Sequence, residues 1–151
     1  MKIIAYPIQD LTIARYLASQ EVYAFCVNLD QRDQDQNLQF ISQIRLWTTG
    51  PKILVYSAQL EKCQSFISDQ LAYGYIFPAE PSFQSINIDG ETEFLSSNNS
   101  ILVKDWNNIL ISSELQYIII QITGEQTVGI YDFDELDQLF ENIQTSLKED
   151  L

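Results

Sequence analysis

The sequence predicts an α/β fold built on a parallel sheet, and three observations carry that expectation. Short apolar runs at Lys2–Ile8, Val22–Leu29, Lys52–Tyr56 and Tyr73–Phe77 alternate with stretches whose apolar residues recur every three or four positions. The runs are nearly continuous in apolar character, as in "VYAFCVNL" at 22–29, which suits strands covered on both faces. A helix between two such strands returns the chain to its starting edge, so this rhythm means βαβ units.

Each element has its own reason. Lys2–Ile8 is β-branched and ends near Pro7, and Asp10 is a good N-cap for a helix with Leu11, Ala14, Leu17 and Ala18 on one face. Val22–Leu29 is the second strand. A polar loop then leads to a helix carrying Leu38, Ile41, Ile44 and Trp47, which Gly50-Pro51 stops. Lys52–Tyr56 is the third strand, Ser57 can cap a helix with Leu60, Cys63, Phe66 and Ile67, and Tyr73–Phe77 is the fourth strand.

The second half keeps strands but loses helices. Phe83–Ile88, Ile101–Asp105 and Tyr117–Ile122 read as strands, and Ile109-Leu110-Ile111 reads as either a stunted strand or part of a short helix. Only Pro78 to Ser82 separate the fourth and fifth strands, where a parallel crossover usually needs a dozen residues or more. A last helix follows from the spacing of Leu136, Leu139, Phe140, Ile143 and Leu147.

A chain of 151 residues, 46 % hydrophobic and 19 % charged, is expected to form one globular domain over 1–151. No apolar run approaches the roughly 20 residues that cross a bilayer, and the start lacks a signal peptide's apolar core, so a cytoplasmic location is expected. The net charge of −13, with scattered cations, argues against nucleic-acid or anionic membrane partners. The absence of histidine removes Ser-His-Asp and Cys-His systems and His-bearing zinc sites. Cys26 and Cys63, inside apolar segments, read as buried reduced thiols.

Two loops invite a functional reading. Asp33-x-Asp35-x-Asn37 matches the opening ligand positions of a calcium loop, but Leu38 and Ile44 stand where that loop needs glycine and glutamate. The segment therefore reads as a solvated loop, and no metal is expected. In "ITGEQTVGIYDFDEL" at 122–136, the backbone around Thr123 and Gly124 could offer N–H groups to an anion. Asp132 and Glu135 have capping-box spacing, however, and the local carboxylates would repel a phosphate. A turn and cap is the stronger reading.

Read end to end, the chain resembles the phosphoribosylanthranilate isomerase family. "KIIAYPIQDLTIARYLA" is similar to that family's opening strand, its "CGITNLEDA" motif and first helix. "YGYIFPAE" sits where the family has its fourth strand and "QLHGDE", and "IIIQITGEQTVGIYDFDELDQLFENI" is similar to its closing strand, loop and helix. The resemblance implies a reduced or incomplete (β/α)8 TIM-type barrel, with parallel strands and crossovers shortened in the second half.

The family performs an Amadori rearrangement in tryptophan synthesis, with a cysteine base on the first strand and an aspartate acid on the sixth. Here Tyr6 stands in the place of the cysteine, and Asp105 in "ILVKDW" is the candidate acid. A phenol with a reference pKa near 10 is a poor neutral-pH base, and the family's Gly-Gly phosphate turn has no counterpart. The resemblance thus implies a relative that has lost isomerase catalysis and serves in binding or association, the alternative being an active isomerase with a replaced base.

Barrel enzymes gather their chemistry at the carboxyl ends of strands. That placement nominates Asn28, Asp30, Glu80, Lys104 and Thr123 beside Tyr6 and Asp105, with Ser57, Asn87 and Asp89 at equivalent ends. Arg32 and Gly124 are added because the corresponding family loops contact substrate and phosphate. Acids converging on one rim could tune a carboxylate or hold a divalent ion, but strand-end polar residues also simply solvate a rim or cap the next helix. The implied partner is a small phosphorylated or polar ligand, with no cofactor, and apolar surface left by the missing helices points to a homodimer. An open flavodoxin-like sheet is a third reading, weakened for nucleotides by Tyr6-Pro7-Ile8-Gln9-Asp10 in place of a Gly-rich first turn.

Overall fold

The structure is a computed structural model, and it describes residues 1–77, 85–106, 112, 114–122 and 133–149, without the side chains of 147–149. The order is β1 (Lys2–Tyr6), α1 (Leu11–Ser19), β2 (Ala24–Asn28), α2 (Gln34–Trp47), β3 (Lys52–Tyr56), α3 (Leu60–Ser68) and β4 (Gly74–Phe77). Then come β5 (Ser85–Ile88), β6 (Glu91–Phe94), β7 (Ser100–Val103), β8 (Tyr117–Gln121) and α4 (Phe133–Glu149). The strands form one mixed sheet, curled into a half-barrel, in the order β6-β5-β4-β3-β2-β1-β8-β7.

Six neighbours in that order, β4-β3-β2-β1-β8-β7, run parallel. The expectation of parallel strands throughout needs correction at β5, which pairs antiparallel with β4, as β6 does with β5. The reason is length: the seven positions between Phe77 and Ser85 are too few for a helical crossover, so the chain turns back on itself. The reversal between β5 and β6 is a two-residue turn, Asp89-Gly90, with both φ angles positive (53° and 83°), the backbone that matches the twist of a hairpin.

Alternation along each strand divides the buried residues into two clusters. Ala5, Phe25, Val27, Ile53, Val55, Ile118 and Ile120 face the helices, where they meet Ile13 and Leu17 of α1, Ile41 and Ile44 of α2, Phe66 of α3 and Leu139 of α4. Ile4, Tyr6, Cys26, Leu54, Tyr56, Ile76, Tyr117 and Ile119 fill the other face, with Ile86 from the hairpin. Each such aliphatic side chain stabilises the fold by about 1.5–3 kcal/mol through burial. Cys26 and Cys63 are both buried and free.

Local signals explain the helix starts. Asp10 caps α1 by accepting from the Ile13 N–H at 3.0 Å. The polar stretch before Leu38 is not all loop: α2 begins at Gln34, with Asp33 accepting from the Gln36 N–H at 2.8 Å while Gln36 Oε1 accepts from the Asp33 N–H at 3.1 Å. That reciprocal capping box uses Asp33 for the helix rather than for a cation. Helix α3 is preceded by Gln59, without a side-chain cap, so Ser57 does not cap it directly. The expected elements at Ile109–Ile111 and the capping pair begun by Asp132 lie outside the described residues. No helix among the described residues is long and apolar enough to cross a membrane.

Candidate functional site

Among the described residues, the carboxyl ends of the parallel strands bring Tyr6, Asn28, Asp30, Arg32, Lys104 and Asp105 to one rim, and the loop after β2 is its best-built part. Asp30 accepts from the Ser57 hydroxyl at 2.7 Å and from the Ala58 N–H at 2.8 Å, with Lys62 Nζ at 3.4 Å. Burial alone would raise the Asp30 carboxyl, but the Ala58 N–H, the Ser57 hydroxyl and the Lys62 ammonium together hold it below its ordinary value. A carboxylate so held stays ionised and is a weak proton acceptor at neutral pH. Ser57, fully buried, also accepts from the Gln59 N–H at 3.0 Å, so the pair joins the end of β2 to the entry of α3. Asn28 completes this turn by accepting from the Asp30 N–H at 2.9 Å.

Arg32 reaches the opposite way. Its Nη2 donates to the Gln9 carbonyl at 2.8 Å, and its guanidinium lies 4.1 Å from the Phe40 ring centroid. Burial lowers its pKa, with Asp10 opposing that shift. The β2–α2 loop therefore clamps both neighbouring loops, through Arg32 on one side and Asp30 on the other.

Tyr6 ends β1 ahead of a cis bond to Pro7 and is buried, 3 % exposed, with its ring edge-on to Tyr56 at 5.2 Å. It faces the cluster away from the helices, together with Ile4, Cys26 and Ile119. Lys104 and Asp105 follow β7 on the same rim and are exposed. Trp106 holds that segment down, donating from Nε1 to the Gln121 carbonyl at 2.9 Å. Strand β8 lies between β1 and β7, so Tyr6 and the end of β7 stand two strand spacings apart, about 9.5 Å. Glu80, Thr123 and Gly124 lie outside the described residues. Asn87 and Asp89, expected at equivalent ends, lie at the opposite rim, because β5 runs antiparallel and its carboxyl end meets the start of β4; there Asn87 donates to Thr92 Oγ1 at 2.9 Å and Asp89 is in the hairpin turn.

A second group joins Arg32 and the Asp33 and Asn37 of the rejected calcium loop to residues of α3 that the sequence did not connect with them. Leu29, Arg32, Asp33, Gln34, Asn37, Lys62, Ser65 and Phe66 line a cavity of about 150 Å3 between α2 and α3. Asn37 is 3 % exposed, one of two polar residues in the buried set with Ser57. An asparagine at a position of apolar helical periodicity was the available signal, hidden because the stretch looked like loop. Among the described residues no group of three or more cysteines and acids converges as a metal site.

No family model matches the chain, and no curated protein or solved structure matches it either. The likeness to the isomerase family thus rests on the sequence motifs.

Proposed function

We propose that the chain is a non-catalytic binding domain, a reduced (β/α)8 barrel of the phosphoribosylanthranilate isomerase type that takes a small polar or phosphorylated ligand. The strand order supports the barrel part of this reading. A closed barrel sets its last strand parallel to its first, and β8 pairs with β1 in parallel over five positions, Lys2↔Tyr117 to Tyr6↔Gln121. The departures are the antiparallel hairpin β5–β6 and the absence, among the described residues, of a β6–β7 pairing that would close the barrel.

The observation that carries the loss of catalysis is the burial of Tyr6 against Tyr56. The residue in the place of the base is packed into the sheet's interior, and the Asp30 carboxylate, in the loop after β2, is committed to Ser57 and Ala58. An isomerase-deficient bacterium supplied with this chain is expected not to grow on tryptophan-free medium despite soluble expression. Growth would overturn the proposal.

We also infer pairing with a second copy. Among the described residues, strands β6 and β7 are the sheet's two edges, and an edge presents backbone groups that a like strand can complete. Phe94 on β6 is 79 % exposed beside that edge. Light scattering at tens of micromolar is expected to give twice the monomer mass, and a monomer alone would exclude the pairing.

A further inference from the structure

The amino ends of five neighbouring strands carry an alternation of phenols and ammoniums. Across β8, β1, β2, β3 and β4 the residues are Tyr117, Lys2, Tyr23, Lys52 and Tyr73, with Tyr23 and Tyr73 one position ahead of their strands. Lys2 Nζ lies 4.9 Å from the Tyr23 ring centroid and 5.9 Å from that of Tyr117, and Lys52 Nζ lies 4.7 Å from that of Tyr73. The Lys52 N–H also donates to the Tyr23 carbonyl at 2.8 Å, which joins the two halves of the row. Burial raises the Tyr23 phenol, with Tyr73 and Asp89 adding to the shift and Lys52 opposing it, so these groups share one neighbourhood. Tyr117 belongs to the inner cluster, and Tyr23 and Tyr73 pack against it. Among the described residues neither lysine makes an ion pair. An ammonium over a ring is held by the ring's negative face, more strongly as water is excluded.

Both ends of this row reach the β5–β6 hairpin. At β4, the Asp89 N–H of the hairpin turn donates to the Tyr73 carbonyl at 3.2 Å. At β8, the Tyr117 hydroxyl is hydrogen-bonded to the Glu93 carboxylate of β6. Asn99 makes a second link there. Its Nδ2 donates to the Phe94 carbonyl at 2.9 Å, while its own carbonyl accepts the Gln116 and Tyr117 N–H groups at 2.8 and 3.0 Å. Strand β6 is exposed at every position and so has no apolar anchor. Beyond its ladder with β5, these polar links are what hold it.

We propose that the row is a clasp: side chains close the amino end of the sheet where β6 and β7 do not pair, and hold the β5–β6 hairpin as a strap. Lys2 is a positioning residue in it, keeping the Tyr117 ring where the hydroxyl meets Glu93. Opening the strap would withdraw Ile86 from the inner cluster and bare that cluster's amino end. This inference goes beyond the binding reading and does not rest on it.

The test is amide hydrogen exchange of the full chain, read from 1H–15N spectra, since exchange reports local opening. Glu93→Ala and Lys2→Met are each expected to speed exchange at Glu91–Phe94 at least tenfold, with the amides of β2 and β3 within twofold of the parent. Lys2→Arg, which keeps the charge, should retain the parent rates. Tyr117→Phe keeps the ring and removes only the hydroxyl, so it should give the same local acceleration even if Glu93→Ala fails to fold. A β6 rate unchanged by Lys2→Met or by Tyr117→Phe would overturn the clasp. Equal acceleration of β2, β3 and β6 would also overturn it, because that pattern reports general destabilisation, as would β6 amides already unprotected in the parent chain.

Discussion

The Asp30 carboxylate accepts the Ser57 hydroxyl at 2.7 Å and so fastens the end of β2 to the segment that enters α3. Asp30→Ala removes that acceptor and leaves a fully buried hydroxyl without its partner. We expect a loss of about 1–3 kcal/mol, read as a lower urea midpoint at unchanged slope. A midpoint equal to that of the parent chain would show that the contact does not hold the loops.

The same carboxyl gives a pH dependence with a definite sign. Its folded pKa lies below the unfolded value of about 3.9. Its contribution is therefore fully present above that unfolded value and lost as pH falls through the lowered folded one. Asp30→Asn should flatten the acid limb of a stability–pH profile below about pH 4. An unaltered limb would contradict the assignment.

At the other end of the scale, Tyr117 at the start of β8 is pushed up to about 12 by burial and by its hydrogen bond to the Glu93 carboxylate on β6. A raised folded value means that its contribution holds below the unfolded pKa of about 10 and disappears as pH climbs through the folded one. Tyr117→Phe removes this titration and should flatten the alkaline limb of a stability–pH profile above about pH 10, followed by far-ultraviolet circular dichroism. An unaltered limb would argue against it.

Gly74 opens β4 opposite Ile88, where the antiparallel hairpin joins the parallel strands. A methyl group here would overlap the Asn87 carbonyl oxygen, a backbone atom that cannot rotate away. Gly74→Ala should cost about 1–3 kcal/mol or more by overpacking, seen as a fall in Tm. Retention of the parent Tm would mean that β4 and β5 approach less closely.

Both thiols are shielded and held protonated, Cys26 by burial and Cys63 pushed up to about 11 chiefly by burial, with Asp30 adding to it. A thiol reagent such as DTNB should label neither in the native protein and both in urea, at a native rate set by unfolding. Rapid native labelling of either would refute the packing.

Much of the first half was legible because its signals are local. Ile13, Leu17, Ile41 and Ile44 keep helical spacing, and "AFCVN" and "KILVY" are apolar enough to be buried strands. Strand β6 was not legible, since Glu91–Phe94 is exposed at every position and has no buried face to mark it. Its turn was legible in principle: Asp89-Gly90 is a strong hairpin dipeptide, overlooked because a parallel crossover was expected there. At the rim, strand-end placement nominated Asp30 and the family resemblance Arg32, but whether they meet substrate or neighbouring loops depends on side-chain direction. Asn37 shows the converse, because its burial comes from tertiary packing rather than from polarity.

The position of β8 beside β1 has a consequence for biosynthesis. The chain's opening strand cannot acquire its second neighbour until residues 117–121 have left the ribosome. Closing so long a loop is entropically costly and slow, so until then the nascent polypeptide carries a bare apolar edge at Ile3–Ala5. Chaperone capture should therefore concentrate on ribosome-bound chains arrested before Tyr117 and drop once the closing segment is exposed.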